Sequence, residues 1–198
     1  MYNFKDPSGA ARTAGMALAA YAVVDLLAAF TAYLIPPDMV EFGAADFMTL
    51  LSFLVELVTM ILVGRWIYRT NANAHSFGGD MAITPGWAIG WFFVPFANLV
   101  KPYQGVRETW DVSHQFAGQI EEQDAPLLRW WWGLWLTTNI AATISTRIAM
   151  QNPGPVTALL AFDIFVSIAN VALCVVLLQV IQRLSSAQLR AHQGSVFA

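Results

Sequence analysis

Four stretches of this chain are each long and apolar enough to cross a bilayer: about 14–35, 47–67, 127–148 and 155–181. A hydrocarbon core of ~30 Å needs about 20 mostly apolar residues in a helix. No water is present there to satisfy a free backbone, so within a single chain the helix is the form such runs must take. The rest of the composition agrees. Of 198 residues, 57% are hydrophobic and only 12% are charged, against roughly 25% charged in a soluble domain. Pro36-Pro37 ends the first run, and Pro155 suits the first turn of the fourth, where its missing N–H costs nothing. Ala14, Ala17, Ala28, Ala29 and Ala32 in the first run are small enough to let helices approach closely.

Basic residues orient the spans. With four spans and both termini cytoplasmic, nine of the ten Lys and Arg residues lie inside, and only Arg147 lies on the far side. The first loop, 36–46, holds three acids, Asp38, Glu41 and Asp46, and no base. Lys5, Arg12 and the small residues Ala17-Leu18-Ala19 resemble a cleavable signal. The apolar run exceeds the ~7–15 residues of a signal core, so it is read as a span.

The central segment Thr84–Trp110 is tryptophan-rich, apolar and interrupted by Pro85, Pro95 and Pro102. As a fifth span, Pro85–Val100 would be short for a bilayer and would split the basic residues evenly between the two sides. It is therefore read as a cytoplasmic hairpin over about 84–118. Thr84-Pro85 is a helix start, with Thr as N-cap and Pro in the first turn. Trp87, Gly90, Trp91 and Val94 follow at helical spacing until Pro95 breaks the pattern. Lys101-Pro102 opens a second helix. Its apolar stripe is Tyr103, Val106, Trp110 and Phe116 or Ala117, and its polar side is Arg107, Glu108 and Asp111. Trp87, Trp91, Pro95, Asn98, Lys101, Tyr103, Arg107 and Trp110 are the candidate residues for contact with lipid or a partner. Irregular backbone at membrane depth needs a covering protein or cavity, so a hairpin lying flat in the interface is favoured over a re-entrant one.

These residues resemble a known family. Arg65-Trp-Ile-Tyr-Arg, then Pro85-Gly-Trp, Gly90-Trp-Phe-Phe-Val-Pro, Asn98, Lys101-Pro-Tyr-Gln and Trp110, with Trp130-Trp131-Trp132-Gly-Leu-Trp135, are similar to the bacterial membrane family catalogued as domain of unknown function 4328. The resemblance covers most of the chain from the second span onward. It implies a four-span, multi-pass protein of the bacterial inner membrane. It carries no activity and no catalytic residues.

Polar residues recur inside the spans. At ~1.5 Å per residue, Asp25, Glu56 and Asp163 fall near mid-membrane. Helical spacing groups Ser52, Glu56 and Thr59; Asn139, Thr143 and Thr146; and Asp163, Ser167 and Asn170. A charge at the helix centre costs about 2.5–3.5 kcal/mol on insertion scales. Three acids face one intramembrane base, Arg147, so at least one must be protonated, hydrated or bound to a cation. Asp25, Glu56, Asn139, Asp163 and Asn170 form the candidate intramembrane polar site. The plainer alternative is that they hydrogen-bond between helices, at about 0.6 kcal/mol per bond.

Other chemistries find no support. Cys174 is the single cysteine and cannot form an internal disulfide. His75, His114 and His192 all fall outside the spans and are read as solvated. Nucleotide-binding and hydrolase motifs are missing, and no basic run suggests nucleic acid. The expectation is an all-α, single-domain bundle of four transmembrane helices with a cytoplasmic interfacial or re-entrant hairpin between spans 2 and 3. No cofactor or metal is expected. The leading function is a non-enzymatic scaffold or interaction module whose hairpin meets lipid, a homo-oligomer partner or another membrane protein. A small proton- or cation-linked transporter or channel is the alternative, and a lipid-modifying enzyme a weaker one.

Overall fold

A computed structural model describes residues 2–35, 43–78, 80–119, 126–151 and 157–197. These form helices and no strand: α1 (Ser8–Leu34), α2 (Ala44–Ser76), α3 (Pro85–Gly90), α4 (Lys101–Phe116), α5 (Pro126–Gln151) and α6 (Thr157–Phe197), with single 3-10 turns at Trp91–Phe93 and Ala97–Leu99. Pro36, Pro37, Asp38 and Glu41, the acids Glu121, Glu122 and Asp124, and Pro155 lie outside the described residues.

Among the described residues three helices are long and apolar enough to cross a membrane: Ser8–Leu34, Asp46–Ser76 and Leu159–Gly194. The chain thus has the makings of a membrane protein. α5 is also long, at 26 residues, but it is not among the three. Thr137, Thr138, Asn139, Thr143, Ser145, Thr146 and Arg147 dilute its apolar content.

Two compact units divide the chain. The first comprises Met1–Gly15, Met60–Trp130 and Leu178–Ala198, and the second Met16–Thr59 and Trp131–Leu177. The second unit is apolar on its outer surface and buries polar residues beside apolar Leu18, Trp131, Trp132 and Leu177. Large apolar side chains are exposed on every helix: Val23, Leu27 and Phe30 on α1, Leu50 and Leu54 on α2, Ile140, Ile144 and Ile148 on α5, and Phe165, Ile168 and Val175 on α6. Thr59, Thr138, Ser145 and Ser167 are buried instead. Apolar exposure on this scale marks a surface made to meet lipid or protein.

The first unit has a conventional core of mixed character. Trp66, Val106, Trp110, Val180, Ile181, Leu184 and Ala187 are buried, and Thr70, Asn71, Asn73, Ser113, His114 and Gln188 are buried with them. α2 ends where Gly78 takes a φ of +86°, a conformation that glycine adopts without penalty. Thr84, extended at φ −73° and ψ 157°, then begins α3 with Pro85 in its first turn, as its sequence predicts. The Thr84 hydroxyl makes no cap, and its carbonyl accepts from the Ala88 N–H at 2.8 Å instead. Gly64 of α2 admits Ile89 of α3 to 3.9 Å of where a Cβ would stand.

Candidate functional site

The second unit holds an open cleft of about 540 Å³. Asp25 from α1, Glu56 from α2, Asn139 from α5, and Asp163 and Asn170 from α6 all line it. Every residue of the intramembrane polar site expected from sequence is thus brought together. Tyr21, Ser52, Thr138, Ser145, Thr146 and Ser167 complete its polar wall, and Ala28, Ala29 and Ala32 leave room on the α1 side. No Lys or Arg is in the lining, and Arg147 is exposed elsewhere on α5.

The acids are held differently. The Asn170 amide donates to Asp25 Oδ2 and to the Tyr21 hydroxyl, both at 3.4 Å. The hydroxyls of Ser52 and Ser167 face the same Asp25 carboxyl. Ser145 donates to Asp163 Oδ1. The Glu56 carboxyl has no hydrogen-bond partner among the described residues, though Asp25 lies within electrostatic range of it. Among those residues no group of three or more His, Cys, Asp or Glu side chains could hold a metal ion.

Two of the sequence groupings need adjustment. On α5 the lining face is Thr138, Ala142, Ser145 and Ala149, flanked by Asn139 and Thr146. Thr143 is exposed and bonds back to the Asn139 carbonyl at 2.8 Å. On α2, Thr59 leaves the polar row and bonds to the Ala17 carbonyl at 3.2 Å, which ties α2 to α1. Tyr21 and Ser145 were missed from sequence. Tyr21 stands one helical turn before Asp25, and that spacing was the available signal.

The first unit carries a buried polar network. The Asn73 side-chain amide pairs with the backbone of Lys5 as a neighbouring strand would: Nδ2 donates to the Lys5 carbonyl at 2.8 Å, and Oδ1 accepts from its N–H at 3.0 Å. Asn73 Nδ2 also donates to Gln188 Oε1 at 3.0 Å. Gln188 Nε2 donates to the Thr70 carbonyl at 2.7 Å and to Ser113 Oγ at 3.0 Å. Asn71 donates to Thr109 Oγ1 at 3.0 Å, and the Trp66 indole N–H to Ser185 Oγ at 3.0 Å. The arm before α1, α2, α4 and α6 are joined by these bonds.

The histidines correct the expectation that all three are solvated. His114 is fully buried and stacks on Trp110 at 4.2 Å. His192 stacks on Phe4 at 4.0 Å. His75 Nε2 meets the Ile83 carbonyl at 3.1 Å, while the Ile83 N–H donates to Glu108 Oε2 at 3.1 Å. Burial offsets imidazole hydration with ring stacking and backbone bonds.

The hairpin residues divide by exposure. Trp110 is only 1% exposed, so it belongs to the core and not to a contact surface; the α4 face that buries it also buries Gly105, Thr109 and Ser113. Tyr103, Trp91 and Asn98 are half-buried. Trp87, Pro95, Lys101 and Arg107 are exposed, and Trp87 and Trp91 stack at 4.6 Å. Sequence reasoning passed over the two most exposed side chains, Phe93 at 78% and Phe96 at 87%. Val94 is extended, as a residue before proline must be. Phe96 then takes a φ of +62°, the only non-glycine among the described residues to do so, at a cost of about 1–3 kcal/mol.

A family model described as Domain of unknown function (DUF4328) matches residues 43–186. Neither a curated protein nor a solved structure matches the chain.

Proposed function

The chain belongs to the DUF4328 family, and since that description carries no activity, we propose from the cavity that the protein passes protons or small cations through a bundle of four membrane helices. The observation that supports this is the convergence of Asp25, Glu56 and Asp163, from three helices, on one chamber with no basic residue in its wall. Three mid-span acids would burden insertion by roughly 7–10 kcal/mol if charged. Bonding between helices accounts for Asp25 and Asp163. It does not account for Glu56, which the described residues leave without a partner. An acidic chamber concentrates cations, and hydroxyls and amides beside the carboxyls can replace water around a passing ion or relay a proton.

The fourth span is α5. Its apolar row Ile140, Ile144 and Ile148 is exposed, while Thr138, Ser145 and Thr146 face the chamber. Polar residues directed inward explain why this helix falls short on apolar content and still suits a bilayer. The distribution of Lys and Arg favours both termini and the hairpin on the cytoplasmic side of a bacterial inner membrane. The exposed aromatic hairpin supports a second, non-enzymatic role as the contact surface of an interaction module.

Reconstitution into vesicles with an internal pH dye tests transport. A proton or alkali-cation flux above that of empty vesicles is expected, reduced about tenfold or more in Glu56→Gln and weakened in Asp25→Asn and Asp163→Asn. A flux that all three substitutions leave at the wild-type rate overturns the proposal.

A further inference from the structure

We infer that the hairpin tip, residues 93–100, inserts into the interface of an anionic bilayer. This deepens the contact role given to the hairpin, and rests on it, by committing to lipid as what the tip meets. Phe93, Phe96, Leu99 and Val100 are exposed together over eight residues, on a tip held by a left-handed Phe96 between two 3-10 turns. Strained backbone persists where surrounding structure dictates it. Here its result is to project apolar side chains outward, whereas α4, which follows, buries its apolar face in the ordinary way.

The order of residue types around the tip favours lipid over a protein groove. Apolar Phe93, Phe96, Leu99 and Val100 are exposed, the stacked amphipathic pair Trp87–Trp91 comes just before them in the chain, and Lys101 just after. Hydrocarbon, interface and headgroup layers are matched by those types in that order. The charge also fits. Lys101 is exposed in the first turn of α4, which has no acidic residue and no side-chain cap. A cation there opposes the helix dipole, and an anionic headgroup offsets both. Arg107 adds a second exposed cation, drawn only in part to Asp111 at 3.6 Å. A chain with three helices able to cross a membrane has a bilayer within reach throughout its life.

The test places an environment-sensitive fluorophore on Phe96→Cys in the full chain, with buried Cys174→Ala removing the native thiol. The protein is reconstituted in phosphatidylcholine vesicles with and without phosphatidylglycerol. Blue-shifted emission, quenched by nitroxide on the lipid chains and protected from aqueous iodide, is the expected result. A label at exposed Gln104→Cys serves as the aqueous reference. Lys101→Gln should move the tip's insertion equilibrium outward about fivefold in the anionic vesicles, the Boltzmann factor for the ~1 kcal/mol a basic residue gains at such a surface. Iodide quenching equal to that at position 104 overturns both the inference and the contact role. Protection from both quenchers that grows with the protein-to-lipid ratio overturns lipid insertion and leaves the contact role standing, with a second copy of the chain over the tip.

Discussion

Replacing Gln188 with leucine should destabilise the first unit by about 2–4 kcal/mol, although leucine is the more apolar residue and the site is fully buried. Three hydrogen bonds are lost: one accepted from Asn73 and two donated, to Thr70 and Ser113. Their consequences differ. Ser113 keeps its bond to the Thr109 carbonyl at 2.6 Å. Asn73 keeps Lys5, but one of its amide protons is left buried with nothing to accept it, which costs about 1–3 kcal/mol. The other two bonds are worth about 0.5–1.5 kcal/mol each, and the added apolar burial returns roughly 1 kcal/mol. At ~2–4 °C per kcal/mol for a chain of this size, Tm falls by about 5–10 °C. The emission of Trp66 and Trp110, each only 1% exposed, reports the transition in detergent. Gln182→Leu, on the exposed side of the same helix, is the control and should leave Tm within a degree or two. In an Asn73→Leu background the Gln188 substitution should cost about 1 kcal/mol less, because no stranded amide remains. A Gln188→Leu protein as stable as wild type would refute the reasoning, as would a cost that Gln182→Leu reproduces.

Two further substitutions test the local geometry. Gly105→Ala places a Cβ in ordinary contact, 3.4 Å from Ile83 Cγ2 and 3.8 Å from Ala88 Cα, so the gain in helix propensity should show as up to ~1 kcal/mol of added stability, whereas Gly105→Leu should lift α3 from α4 and lower stability by about 1–3 kcal/mol, seen as accelerated proteolysis of the hairpin. The Ser8 hydroxyl and backbone N–H hold the Asp6 carboxyl below the usual carboxylate range. A depressed folded value means that its contribution is present above the unfolded pKa and lost as pH falls through the folded one. Asp6→Asn should remove that contribution and flatten the acid limb of a stability profile between about pH 5 and pH 2, by no more than ~0.5 kcal/mol for so exposed a group.

Much of this architecture is visible in local patterns. The apolar runs of α1, α2 and α6, the start of α3 at Thr84-Pro85 and of α4 at Lys101-Pro102, and the break at Pro95 all follow from periodicity and proline geometry. The chamber acids are legible for a related reason: a carboxyl inside an apolar run has few places to go except inward. What escapes is pairing across long sequence distance. Asn71 and Asn73 sit in a stretch that resembles a solvated helix end, and their burial is made tolerable by Thr109 for Asn71 and by Lys5 and Gln188, the latter 115 residues on, for Asn73. His114 reads as exposed because its stacking partner, Trp110, was itself assigned to a lipid-facing stripe. On α5 the polar residues are so dense that a face offset by one residue, Asn139, Thr143 and Thr146 in place of Thr138, Ala142 and Ser145, fits the spacing equally well.

The bonds between the arm at Lys5 and Gln188 also set an order in time. The arm at Lys5 is made well before Gln188, the side chain that completes its anchor at Asn73. The second unit has all of its residues once position 177 has been synthesised, whereas the first still awaits Leu178–Ala198. At ~5–20 residues per second that final stretch takes about 1–4 s. During that interval the groups that Gln188 will meet, the Asn73 amide, the Thr70 carbonyl and the Ser113 hydroxyl, must remain hydrated or held by another molecule, so any factor that assists assembly of this protein has its window there.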